Sequence, residues 1–301
     1  MALTLVEASK LSNDVLQKGV IEVFARTSSI LEMMPFMEIA GNSYAYNIEE
    51  TLPGIGFRGV NEGYEESTGV INQKAETLVI AGGDVDVDRF LVQTRSNIND
   101  VRAVHTEMKA KALALAITNE IFNGDVATNA LGFDGLKKRI AGDQLILAGE
   151  NGADLTLEML DELIDAVDGE PDALFMSKAM RRKVKAVIQA HGGYMESAYD
   201  AFGRPVVTYG GIPLRTIGEN HEGKAILGFD ETCGSNNNTA SIYAVKFGAE
   251  QYVSGLQNGG MNVRDLGELD EKPVLRTRIE WYPGLAVFHP KACARLAGIN
   301  K

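Results

Sequence analysis

The sequence predicts an α+β chain in which one domain is started, interrupted by a second, and then completed. Three stretches carry that expectation. Residues 97–123 form one long amphipathic run with no Pro and no Gly inside it. Residues 39–82 alternate like strands on either side of a Gly-rich tip. Residues 154–217 carry helix, strand, helix and hairpin signals, after which strand patterns return.

In chain order, Leu3, Val6, Leu11, Val15, Leu16, Val20, Val23 and Phe24 open the sequence with a short helical pattern, which Asn13 and Asp14 can cap or interrupt. Ile30-Leu31-Glu32-Met33-Met34-Pro35-Phe36 follows, an apolar patch broken by proline. It must pack on the body of this chain or on a neighbour. Ser43 to Ile48 alternates as a strand does, and a second extended run covers Ile71 to Ile80. Between them, Leu52-Pro53-Gly54-Ile55-Gly56-Phe57-Arg58-Gly59 and Asn61-Glu62-Gly63-Tyr64 are turn-like. The result is an extended hairpin with a flexible tip. Leu52, Ile55, Phe57 and Tyr64 have little nearby to bury them, and such an arm finds its partner on another subunit.

Residues 83–93 alternate strictly, with Asp84, Asp86 and Asp88 on one face, and feed straight into the long helix. Asn97 or Asn99 can cap that helix, and Gly124 stops it. At 1.5 Å per residue it spans roughly 40 Å. Ile98, Val101, Val104, Met108, Ala112, Leu115 and Phe122 form one row, with His105 beside Val104. Leu113, Ile117 and Ile121 form a second, and the spacing predicts one broad apolar face.

Gly132 to Leu136 begins a turn and short helix, and residues 142–152 read as a loop with one short strand. Leu157, Leu160, Leu163, Ile164 and Val167 mark a helix started by Asp154 or Thr156. Residues 172–177 read as a buried strand, Lys178 to His191 as a helix, and Pro205 to Ile217 as a hairpin turning at Gly210-Gly211. Ser241 to Phe247, Val274 to Tyr282 and Leu285 to Phe288 are expected strands, with a Gly-rich excursion from Gly255 to Gly267 between the first two.

Composition narrows the function. The chain has 301 residues, enough for a substantial core. A net charge of −12 argues against a protein that grips nucleic acid, and suits a surface that lies near it without adhering. Cys233 and Cys293 have no metal-ligand spacing and read as reduced cysteines of a cytoplasmic protein. No segment reads as a signal peptide or a membrane span.

Gly54 to Gly59 matches G-x-G-x-x-G, but Pro53 precedes it and no helix pattern follows, as dinucleotide binding would need. Asp84, Asp86 and Asp88 resemble the start of a calcium loop, yet Arg89 and Arg95 occupy the positions that need Gly and a carboxylate. A strand with an acidic face, matched to basic residues of a neighbour, is the better reading. His105, His191, His221 and His289 are scattered. Arg181-Arg182-Lys183-Val184-Lys185 reads as a solvated basic helix face. No catalytic, cofactor-binding or metal-binding set emerges.

Taken in order, these features resemble the major capsid proteins of tailed bacteriophages over essentially the whole chain. The resemblance is carried by residues 82–90 before the long helix, by Pro171-Asp172-Ala173-Leu174-Phe175-Met176-Ser177 and the basic helix after it, and by Gly203-Arg204-Pro205-Val206-Val207 with Gly211-Ile212-Pro213-Leu214. The ending from Arg276 to Pro290, RTRIEWYPGLAVFHP, carries it most.

The resemblance implies the Hong Kong ninety-seven type fold. Residues 1–39 would be an N-terminal arm and 40–82 the extended E-loop. Residues 83–144 and 241–283 would form the peripheral (P) domain, with Val101, Val104, Met108, Leu115 and Phe122 on its spine helix. Residues 145–240 and 284–301 would form the axial (A) domain. It further implies hexamers and pentamers of this subunit, assembled in a host cytoplasm and closing an icosahedral virion shell around double-stranded DNA. Portal, scaffold and decoration proteins would be partners, with no cofactor and no membrane. The chain starts almost at once with its short helix, so a scaffold is expected to be a separate protein. Lys74 is the only lysine of the arm and lies away from the tip, so covalent crosslinking is not expected. An encapsulin-type compartment shell, or an oligomeric nucleotide-binding enzyme, are the alternative readings.

Overall fold

The computed structural model describes residues 27–95, 101–192, 196–199 and 205–301. The helical pattern expected before Ile30, the caps expected at Asn97 or Asn99, and Gly203-Arg204 lie outside them. The first part comprises α1 (Ser29–Met33), β1 (Phe36–Glu38), β2 (Ser43–Thr51), β3 (Val70–Thr77), β4 (Ala81–Asp88), α2 (Arg89–Arg95) and α3 (Val101–Asn123). The middle adds α4 (Leu136–Arg139), β5 (Leu145–Leu147), α5 (Leu157–Asp165), β6 (Ala173–Ser177), α6 (Lys178–Ala190), β7 (Glu196–Tyr199), β8 (Pro205–Tyr209) and β9 (Ile212–Ile217). The last part is all strand: β10 (Glu231–Cys233), β11 (Asn236–Val245), β12 (Val253–Gln257), β13 (Asn262–Leu269), β14 (Lys272–Trp281), β15 (Pro283–Val287) and β16 (Cys293–Asn300).

These strands form four sheets. The largest runs β5-β16-β11-β6-β9-β8-β7, with β10 added beside β11. Two three-stranded sheets, β1-β12-β15 and β13-β14-β4, and the two-stranded hairpin β2-β3 complete them. Leu160 and Leu163 of α5 and Met180, Val184 and Ile188 of α6 bury against the large sheet. Both helices begin where the sequence expects. Thr156, one of the two caps it offered, accepts through Oγ1 from Met159 N, and Ser177, a cap it did not name, accepts through Oγ from Met180 N. The α3 helix packs its second half into a separate core, where Phe122 meets Phe175 at 5.8 Å and Tyr243 at 5.3 Å.

The patch broken by Pro35 packs on the chain's own body. Ile30, Leu31, Met34 and Phe36 are buried in the core beside α3. β1 pairs parallel with β12, and Pro35 O accepts from Gly255 N and from Ser254 Oγ. Gly255 is required there, because a Cβ would lie 2.3 Å from the Phe36 ring.

Several expectations are corrected. The alternation over 83–93 ends at Asp88. Its carboxylate accepts from Phe90 N at 2.7 Å, which starts α2 at Arg89 in place of further strand. The acidic face of β4 finds its cations within this chain, not on a neighbour. Arg278 lies directly across from Asp84, and Arg276 from Asp86. Each guanidinium grips its carboxylate with two bonds, at 2.7 and 2.9 Å and at 2.6 and 2.6 Å. Hydrogen bonding from Arg278 holds the Asp84 carboxyl below the usual carboxylate range, and that from Arg276 does the same for Asp86.

Nor is Gly255 to Gly267 an excursion: it contains the end of β12 and most of β13. Strand pairing also crosses the expected domain division at two points. β11 runs on past residue 240 between β6 and β16, and β15 pairs with β12.

The broad apolar face expected on α3 is split. Its buried residues are Thr106, Ala110, Ala114, Ile117, Thr118, Ile121 and Phe122. Val104 and Met108 are exposed, Val101 and Leu115 are half-buried, and His105 is exposed. Of the five residues named on the spine helix only Phe122 is fully inside, while Ile117 and Ile121 of the second row are buried as expected. Small side chains let the helix lie close to its sheets. The two threonines enter without orphaned hydroxyls, since Thr106 Oγ1 donates to Arg102 O and Thr118 Oγ1 to Ala114 O.

Candidate assembly interface

The arm is one hairpin with two unlike ends. β2 and β3 pair antiparallel from Ser43↔Thr77 to Thr51↔Val70, with a bulge between Glu49 and Thr51. Near the body, Tyr46 and Ile48 are buried with Met37, Ile39, Leu256 and Ala286. The Tyr46 ring lies 4.7 Å from that of Phe288. Its hydroxyl donates to Val287 O at 3.0 Å and lies 3.2 Å from Glu76 Oε1. Burial, with the Glu76 carboxylate adding to it, pushes the Tyr46 phenol up to about 12. Arg139, at the end of α4, clamps Glu76 through both guanidinium nitrogens, with Nη2–Oε2 at 2.7 Å. Both side chains keep only 15% of their surface exposed.

Beyond Thr51 the chain leaves this core. Leu52, Ile55, Phe57 and Tyr64 are all exposed, as the sequence predicted, and Val60, Val70 and Ile71 join them. Ile55 and Val60 are 91% and 93% exposed, and Phe57 is fully so. No helix follows Gly54 to Gly59, so the backbone amides are not gathered as a dinucleotide site needs. Among the described residues no group of three or more His, Cys, Asp or Glu could hold a metal ion.

A second bare surface lies on α3. Val104 and Met108 keep 47% and 58% of their area, on the helix face turned away from Ala110 and Ala114. Phe90 and Leu91 of α2 are also exposed. Sequence reasoning missed these last two, and missed the Tyr46–Glu76–Arg139 anchor. Alternation in β2 signals that Tyr46 faces a core, but the pairing of Glu76 with Arg139 spans 63 positions and has no local signature.

The model of the family described as major capsid protein GP7 matches residues 12–160, just under half of the chain. No curated protein sequence matches. Among solved structures, the holo-SrpI encapsulin complex from Synechococcus elongatus PCC 7942 is similar, with a TM-score of 0.70 and 18% identity, over 100% of this chain and 97% of that one. A chain from the capsid of an empty GTA particle aligns with a TM-score of 0.64 and 15% identity, over 91% of this chain and 90% of that one. One from Mycobacterium phage Adephagia aligns with a TM-score of 0.65 and 12% identity, over 91% and 90%. At such identities the likeness is one of fold, and it extends along nearly the whole chain.

Proposed function

We infer that this chain is a major capsid protein of the Hong Kong ninety-seven type fold, a structural subunit that assembles with copies of itself into a closed shell. The observation that carries this reading is the arm. A subunit that buries Tyr46 and Ile48 at the arm's base leaves Ile55, Phe57 and Val60 in water at its tip. Covering a side chain such as Phe57 is worth roughly 1.5–3 kcal/mol before ordering costs. One such contact is weak, but a shell repeats it at every subunit.

In this reading residues 40–82 cross onto a neighbouring subunit, with Leu52, Ile55, Phe57 and Tyr64 in the interface. The α3 helix and the β13-β14-β4 sheet form the peripheral part, and the large sheet with α5 and α6 forms the axial part around which hexamers and pentamers close. The shell assembles in a host cytoplasm and holds double-stranded DNA without base-specific contacts, as the net charge of −12 allows. Portal, scaffold and decoration proteins complete the particle.

Electron microscopy of the purified protein tests this: closed, thin-walled polyhedra are expected. A well-defined dimer or tetramer with no larger product would contradict it. A compartment shell around protein cargo is the second reading, favoured by the likeness to the SrpI encapsulin over the full chain. Double-stranded DNA inside particles from the native source supports the capsid reading, and a protein cargo the compartment one.

A further inference from the structure

The arm's tip is laced to itself. Gly54 N donates to Ser67 Oγ at 2.8 Å across the loop. Further out, Gly59 N donates to a Glu62 carboxylate oxygen at 2.8 Å, and Arg58 Nη1 donates to the Glu62 carbonyl at 3.2 Å. The Arg58 guanidinium lies 5.1 Å from the centre of the Tyr64 ring. Asn61 takes a positive φ of 68°, which closes the turn. The Glu62 carboxylate folds so close to Gly59 that a Cβ there would sit 2.9 Å from it and displace it. These bonds hold residues that carry no core of their own, and they leave Ile55, Phe57 and Val60 bare.

We propose that residues 54–67 are a preformed hook, in which Glu62, Arg58 and Ser67 are positioning residues that fix Ile55, Phe57 and Val60 for a second copy of this chain. The proposal rests on the arm reading above and replaces the flexible tip that the Gly content suggested. Binding by an unlaced loop would have to order its backbone at the moment of contact, which weakens association. A preformed hook has met that cost before the partner arrives. The bulge between Glu49 and Thr51, where the hairpin leaves its buried base, is then the place where the hook is aimed as a unit.

Amide hydrogen exchange on unassembled subunits tests the lacing directly. The Gly54 and Gly59 amides should be protected in the unmodified chain. In Glu62→Ala the Gly59 amide should exchange about tenfold faster, while Gly54 keeps its protection; equal exchange in the two proteins overturns the proposal. Assembly supplies the second readout. Glu62→Ala touches none of the three apolar residues, yet should raise the subunit concentration at which shells form by about tenfold, with unchanged subunit melting. Shells that form normally from Glu62→Ala but fail from Phe57→Ala overturn the hook and leave the arm standing. Normal shells from both overturn the arm as well.

Discussion

The base and the tip of the arm belong to one hairpin and obey opposite rules. At the base, apolar and charged groups are satisfied inside the subunit: Tyr46 and Ile48 are buried, and Arg139 closes on Glu76. At the tip, the Gly54 and Gly59 amides are satisfied locally while Ile55, Phe57 and Val60 stay bare. In the reading proposed above, the base belongs to folding and the tip to association. The two faces of α3 repeat the contrast, with Ala110 and Ala114 inside and Val104 and Met108 outside.

If that division is right, base variants change subunit stability and tip variants do not. The largest expected effect is Arg139→Ala. It leaves the Glu76 carboxylate in a nearly buried site and should cost about 2–3 kcal/mol, below the figure for a fully enclosed pair. Chemical unfolding of the unassembled subunit measures it, and a loss under about 0.5 kcal/mol would erase the distinction between base and tip. On α3, Ala114→Leu should overpack the inner face and cost about 1–3 kcal/mol. Met108→Ala on the outer face should stay within about 0.5 kcal/mol. Equal losses from the two would mean that the helix faces are not distinct.

The smallest effect concerns the carboxylates of β4. Asp84 is held below its ordinary value by Arg278, so its folded pKa is lower than its unfolded one. Its contribution is then fully present above about pH 3.9 and lost as pH falls through the depressed folded value. The stability gap between the unmodified protein and Asp84→Asn should be constant from neutral pH to about 4 and shrink below it. A gap that shrinks between pH 8 and 6 would show that this pair is not its source.

Much of the architecture was legible because its signals are local. Alternation in β2, the glycines between Pro53 and Tyr64, and the cap Thr156 each act within a few residues. Exposure of Leu52, Ile55, Phe57 and Tyr64 followed from the same reasoning. β16 was not legible. Cys-Ala-Arg-Leu-Ala-Gly-Ile-Asn lies between β5 and β11 in the large sheet and is buried along most of its length, so it shows no alternation. The face of α3 was misread for another reason. Ranking side chains by size places Val104 and Met108 inside, but close packing on a sheet selects alanine and threonine. The larger apolar groups are left on the outer surface. The acidic face of β4 was assigned to a neighbour because the answering Arg276 and Arg278 lie about 190 residues away in sequence.

The measurement that tests the account most directly is a paired one on the unmodified chain and Phe57→Ala. Thermal melting of unassembled subunits is compared with electron microscopy of assembled material. The account predicts matching melting curves, closed shells from the unmodified chain, and few or none from the variant. Closed shells in equal yield from both, or a variant subunit that melts early, would contradict it.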